Sequence, residues 1–183
     1  DLSGDGMADL VITGEWMHTH TFSLQQDKYV AINNGLLEYK GWWKSMEATD
    51  IDNDGDTDLI LGNNGANFYL RPNADEPVKI WIHDFDGNGI TDKVITRTID
   101  GKDMPVFLKR DLTDQIPGLK KQNLRFAEFA TKSVQDLFSP SSTAAATMGI
   151  FNYTTSCIAI NNGKGNFTLQ PLPMQVQLSN VNA

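Results

Sequence analysis

The sequence carries a single cysteine, Cys157, in 183 residues, so no internal disulfide framework can brace it. Long apolar runs are missing too: none approaches the roughly 18 residues of a membrane-spanning helix. Basic residues are scarce, with 15 Lys and Arg against 23 Asp and Glu and a formal charge of −8. That balance repels phosphate backbones and excludes nucleic acid as an expected partner. The chain is nonetheless no disordered acidic tail, because 40% of its residues are apolar and 9% aromatic, enough to build a core. No secretory leader is present, although the chain opens at Asp1 inside a motif, so a leader removed with the preceding sequence is compatible with it. No Ser-His-Asp order, Gly-rich phosphate loop or zinc-type cluster stands out. The chain is not expected to be an enzyme.

What the sequence does contain is acidity gathered into three windows. They are Asp1-Leu-Ser3-Gly-Asp5-Gly6-Met7-Ala-Asp9, Asp50-Ile-Asp52-Asn-Asp54-Gly55-Asp56-Thr-Asp58 and Asp84-Phe-Asp86-Gly-Asn88-Gly89-Ile90-Thr-Asp92. Together they hold 11 of the 23 acidic residues, and without those aspartates a chain at −8 would stand at +3. Oxygen-bearing side chains at positions 1, 3 and 5 converge when the backbone wraps around a point, and glycine at position 6 permits the sharp turn. Position 7 then offers a backbone carbonyl, and an acidic group at position 9 closes the site. Carboxylates held this close repel one another unless a cation sits among them. A good Asp-Gly or Asn-Gly turn explains one such window, but not three with the same residues at positions 1, 6 and 9.

The expected ligands are therefore Asp1, Ser3, Asp5, Met7 and Asp9, then Asp50, Asp52, Asp54, Asp56 and Asp58, then Asp84, Asp86, Asn88, Ile90 and Asp92. Up to three structural Ca²⁺ ions would bring the charge from −8 to −2. The second loop is expected to bind most tightly, having carboxylates at positions 1, 3, 5 and 9. An EF-hand needs Glu at position 12, where this chain has Ile12, Leu61 and Ile95. The apolar runs after each loop (Leu10-Val-Ile, Leu59-Ile-Leu and Val94-Ile) read as short strands, not helices.

With these loops, Gly41-Trp42-Trp43, Gly62-Asn63-Asn64-Gly65-Ala66-Asn67, Glu76-Pro77-Val78, Arg110-Asp111-Leu112 through Leu119-Lys120-Lys121, and Asn161-Asn162-Gly163-Lys164-Gly165-Asn166-Phe167, the sequence resembles the FG-GAP/VCBS repeat family of integrin-alpha-like β-propellers. Within that family it resembles a subgroup of bacterial VCBS-containing proteins related to the cartilage acidic protein group. The resemblance covers nearly the whole chain. It implies a secreted or cell-surface propeller with calcium loops between strands and no established enzymatic activity. Ser3 and Asn88 depart from the acidic pattern but still offer oxygen.

The expected fold is mainly β: one segment of a partial β-propeller over residues 1–183, with a helical insertion at 110–148. Strands are expected at 9–13, 19–24, 28–33, 57–62, 78–83, 92–97, 104–108, 156–161 and 166–170. Ala31-Ile-Asn33-Asn34-Gly35 echoes Ala159-Ile-Asn161-Asn162-Gly163, each a strand entering a turn. Apolar spacing at Leu124, Ala127, Ala130, Val134, Leu137 and Phe138 predicts a longer helix after a short one, with Pro117-Gly118 between them and Ser139-Pro140 ending it. Three loops supply at most about three blades, fewer than the 4–8 of a closed ring, so a piece of a longer propeller is expected.

The expected function is a calcium-stabilised extracellular binding, adhesion or scaffold module whose partner is a protein, a glycan, or the rest of a larger propeller. The alternative is a glycan-recognition module using Trp42 or Trp43, one of which should face outward. A calcium-dependent polysaccharide-acting enzyme domain ranks below both. Trp16 and Trp81 read as core, His83 as packing, and Cys157 as a small buried residue. His18 and His20 share a strand face that a transition metal could exploit, but without an identifiable third ligand. Asn152 and Asn166 head sequons.

Overall fold

The computed structural model describes residues 1–122 and 125–182. The chain divides into two compact units, Asp1–Arg71 with Phe151–Ala183 and, between them in sequence, Pro72–Ile150. The strands run β1 (Leu10–Ile12), β2 (Glu15–Met17), β3 (His20–Gln25), β4 (Lys28–Ile32), β5 (Gly41–Trp42), β6 (Ser45–Thr49), β7 (Asp58–Gly62), β8 (Val78–His83), β9 (Asp92–Ile99) and β10 (Lys102–Pro105). Short helices follow: α1 (Lys109–Gln115), α2 (Gly118–Gln122), α3 (Phe126–Phe129), α4 (Val134–Leu137) and α5 (Pro140–Ala145). The chain then returns to strand in β11 (Thr147–Phe151), β12 (Cys157–Asn161) and β13 (Phe167–Pro171). The protein is mainly β, as expected, and no helix among the described residues is long and apolar enough to cross a membrane.

In the first unit β1-β3-β4 form one antiparallel sheet and β13-β12-β7-β6 a second, with β2 paired to β5. The second sheet is a pair of hairpins joined across a long sequence gap, because β7 and β12 register Leu61 against Cys157 and Leu59 against Ala159. Its alternation is what a buried sheet face requires. Leu59, Leu61, Cys157, Ala159 and Phe167 pack with Leu2, Leu36 and Trp43 into the unit's core. Pairing of β2 with β5 shifts register at Trp16, which sits at φ 64°. Positive φ is rare for so bulky a residue; the bulge aims its ring edge-on at Trp42, 4.8 Å away between centroids.

In the second unit the sheet order is β10-β9-β8-β11. The strand expected at 78–83 is found there with those bounds. Trp81 and Val94 meet Leu112, Ile116, Leu119, Phe129, Val134, Leu137 and Phe138 from the helices in a common core, and Trp81 Nε1 donates to Thr96 Oγ1 at 3.1 Å.

The helical stretch differs from the expected pair of helices. Where one longer helix is expected, α3 and α4 are separate, and the cause lies in local capping. Ser133 accepts from the Asp136 amide while the Asp136 carboxylate accepts from the Ser133 amide, a reciprocal box that starts a new helix. The helix before Ser139-Pro140 does end there, at the extended Phe138, but the same pair also begins another: Ser139 caps α5 and Pro140 fills its first turn, where the missing N–H costs nothing. Leu124, counted in the expected apolar stripe, lies outside the described residues.

Candidate metal centres

Two of the three acidic windows are the turns of hairpins. Thr49 pairs with Asp58 across the β6–β7 hairpin and His83 with Asp92 across β8–β9. The first window leads into β1. In the two hairpins the last aspartate, Asp58 or Asp92, is the first residue of the strand, so sheet pairing fixes the closing ligand; Asp9 lies one residue before β1.

All three loops are wound by the same set of hydrogen bonds. The position 1 carboxylate accepts from the amide at position 6: Gly6 to Asp1 at 2.8 Å, Gly55 to Asp50 at 3.1 Å and Gly89 to Asp84 at 2.8 Å. It also takes the position 5 amide, from Asp5 at 3.2 Å, Asp54 at 3.2 Å and Asn88 at 3.1 Å. The position 5 side chain accepts from position 7: Met7 at 2.8 Å, Asp56 at 2.9 Å and Ile90 at 2.7 Å. Position 9 accepts from position 2, Leu2 to Asp9 at 2.7 Å, Ile51 to Asp58 at 2.9 Å and Phe85 to Asp92 at 3.0 Å. Asn88 thus does for the third loop what Asp5 and Asp54 do for the others, which explains why the amide substitutes there.

The turn needs two left-handed residues. Gly6, Gly55 and Gly89 at position 6 have φ 82°, 97° and 84°. Position 4 is also left-handed, with Gly4 at 75°, Asn53 at 62° and Gly87 at 74°. Glycine and asparagine are the residues that tolerate this region, and their recurrence at position 4 is a signal that the sequence reading passed over.

Not every expected ligand converges. Carboxylate oxygens of Asp50, Asp52 and Asp58 lie within 4.8 Å of one another, as do those of Asp84, Asp86 and Asp92. These are positions 1, 3 and 9, and each trio could hold a metal ion. Asp54 and Asp56 stand outside the trio of their loop; the Asp54 carboxylate is turned to the Asp56 amide. In the first loop Ser3 takes position 3. There the Ser3 hydroxyl and Asp9 Oδ1 are buried and have no hydrogen-bond partner, a cost that a cation between them would remove.

The electrostatics agree with a cation-seeking arrangement. The Asp52 carboxyl is held above the ordinary carboxylate range, first by desolvation and then by the charges of Asp54 and Asp58. Asp84 is held below it, chiefly by the Gly89 amide and further by those of Gly87 and Asn88. One loop is thus short of positive charge at position 3, while the other is already prepared at position 1 to stay ionised.

Asn161 belongs to this region too. Buried at the end of β12, it donates its own amide to Asp58 Oδ1 at 2.8 Å. Its side-chain amide reaches Leu2 O at 2.9 Å and Thr57 O at 3.1 Å. It therefore ties the first two loops to one strand end. The echoed motif is structural as well: Asn33 and Asn161 accept from Gly35 and Gly163, both at 3.2 Å.

Elsewhere the aromatic and histidine candidates resolve. Trp43 is buried, its Nε1 donating to Met17 O at 3.1 Å. Trp42 is half-buried and stacked on Phe151 at 4.9 Å with 4° between the rings, so one face of the expected outward ring is covered. His83 packs edge-on against Phe85. The His18 and His20 rings are 3.8 Å apart, and His18 is held below its ordinary range by burial, then by His20 and Lys40. No third His, Cys or carboxylate joins them in a cluster among the described residues. Cys157 is fully buried, and burial pushes its thiol up to about 12. The Asn152 side chain bonds Glu38 O and the Lys40 amide, so its sequon is engaged in the fold.

No curated protein and no solved structure matches this chain. Residues 1–61 match the FG-GAP-like repeat family, which supports the FG-GAP assignment for the third of the chain that contains the first two loops.

Proposed function

We propose that this chain is a calcium-binding segment of a β-propeller that serves outside the cell as a binding, adhesion or scaffold module, with calcium in a structural role. The observation that carries the proposal is the repeated winding of three loops, two of which gather a carboxylate trio within 4.8 Å. The donors are oxygens, hard ligands that suit calcium and disfavour soft transition metals. The family match and two four-stranded sheets, each containing an antiparallel hairpin turned by an acidic loop, support reading those sheets as blades. Within the family we place the chain near the bacterial VCBS-containing proteins. Its partner would be an extracellular protein or glycan, or the remainder of a larger propeller.

When bound, calcium supplies charge neutralisation at the strand junction. The chain's own residues do the rest: loop amides orient the carboxylates, β7 and β9 fix positions 9, and Asn161 holds two loops in register. A bond-making reaction is not proposed. The test is a thermal melt with calcium and with chelator, beside titration calorimetry using Ca²⁺ and Mg²⁺. Saturation at 100 times the dissociation constant should add about 2.7 kcal/mol. An unchanged midpoint with no heat of Ca²⁺ binding would refute the proposal.

A further inference from the structure

The second unit contains a cavity of about 300 Å³ between β9, β10, the start of α1 and α3. Its walls are apolar, including Ile99, Leu108, Phe126 and Phe129. Phe129 is buried, whereas Leu108 and Phe126 are 72% and 70% exposed. Single exposed apolar side chains are ordinary; two lining one concavity are not. The charged groups at the cavity are Arg97, Lys109 and Lys132, and no carboxylate is among its lining residues.

That single sign is notable in a chain at −8. Ten of the 15 basic residues fall within Pro72–Ile150, against 11 acidic ones, so this unit is close to neutral and the local cations are not swamped. Arg97 is exposed on β9 opposite Met104. Lys109 reaches over the Phe126 ring, 5.0 Å from its centroid, which places an ammonium at the edge of the apolar wall.

We propose that this cavity binds a small carboxylate with an apolar tail, the tail against Phe126, Phe129, Leu108 and Ile99 and the carboxylate at Arg97 and Lys109. Charge complementarity selects an anion. A volume near the lower end of the small-ligand range selects a small amphiphile over a protein segment. The proposal is independent of the metal loops and of the propeller reading.

The experiment is titration calorimetry of the calcium-supplemented full chain with octanoate below its micellisation concentration, with octanol and acetate as partial ligands. Octanoate should bind with one-to-one saturation, octanol about tenfold more weakly or worse, and acetate without saturation. Arg97→Gln and Lys109→Gln should each weaken octanoate about tenfold while leaving octanol unchanged. Octanol binding as tightly as octanoate, no saturable octanoate binding, or octanoate affinity indifferent to both substitutions would overturn the proposal.

Discussion

Asp58 is the residue on which sheet and loop meet, so Asp58→Asn is the most informative single change. Its side chain is fully buried. Its two oxygens accept from different backbone amides, Ile51 at 2.9 Å and Asn161 at 2.8 Å. An asparagine has one oxygen and one NH₂ group, so either orientation leaves an amide N–H facing another donor. A stranded buried donor costs about 1–3 kcal/mol, and the surviving bond loses its charge assistance, about 1 kcal/mol more. Relief of repulsion with Asp50 and Asp52 offsets part of this, but those partners are exposed and water screens them. The expected net loss without calcium is about 1–3 kcal/mol, or a midpoint drop of about 3–10 °C for a chain of this size. Asp54→Asn is the control. Asparagine retains the oxygen that accepts from the Asp56 amide, as Asn88 does for Ile90, so its melt in chelator should match the parent. Both variants should bind calcium less tightly at this loop. Thermal melts in EDTA followed by tryptophan fluorescence decide the matter. If Asp58→Asn melts with Asp54→Asn, the buried carboxylate does not hold the hairpin.

Gly35→Ala should cost more than Gly55→Ala. Both glycines are left-handed, which costs about 1–2 kcal/mol for alanine; a Cβ at Gly55 meets open space, while one at Gly35 lies 2.8 Å from Phe167 O. Urea melts compare them. Ser133→Ala removes the capping box of α4 and should destabilise by about 1 kcal/mol, seen as faster amide exchange at Val134–Leu137. The Ser133 amide and hydroxyl hold the Asp136 carboxyl below its ordinary range. Its stabilising contribution is therefore present above the ordinary carboxylate pKa and lost as pH falls through the depressed folded value. A melt series below pH 5 should show this loss in the parent and a somewhat smaller one in Ser133→Ala, which loses the hydroxyl but keeps the backbone N–H that contributes most. The Cys157 thiol, buried and raised to about 12, should resist aromatic disulfide reagents at pH 8 in the native protein and react on unfolding in denaturant.

The loops were legible because their chemistry is local: aspartate and glycine spacing dictates both the oxygen set and the turn. The strands beside them followed, since Asp58-Leu-Ile-Leu-Gly and Val78-Lys-Ile-Trp-Ile-His carry burial patterns readable along the chain. Four strands did not show. Glu15–Met17 is interrupted by the bulge at Trp16, Gly41–Trp42 is two residues long, Ser45–Thr49 alternates only through Met46 and the small Ala48, and Thr147–Phe151 is broken by Gly149. Helical periodicity holds at Val134 and Leu137 but not at Phe138, which is extended; the breaks come from Ser133 and Ser139, whose caps outweigh a continuing stripe. At the sites, the convergence of positions 1, 3 and 9 without Asp54 is a matter of rotamers that spacing does not specify. Asn161 was visible as a turn residue only. Its bonds to Leu2 and Asp58 span most of the chain, and no local pattern announces them.

The register of Leu61 against Cys157 has a consequence for how the polypeptide is made. The β6–β7 hairpin leaves the ribosome with one side of β7 unpaired, and its partner emerges only after the whole of Pro72–Ile150 has been synthesised. Until then the bare backbone of Leu59-Ile-Leu is an invitation to strand exchange with a neighbouring chain. The interval is set by translation, at about 5–20 residues per second. During that wait, an acidic loop already wound at the hairpin tip would act as a charged guard at one end of the exposed strand.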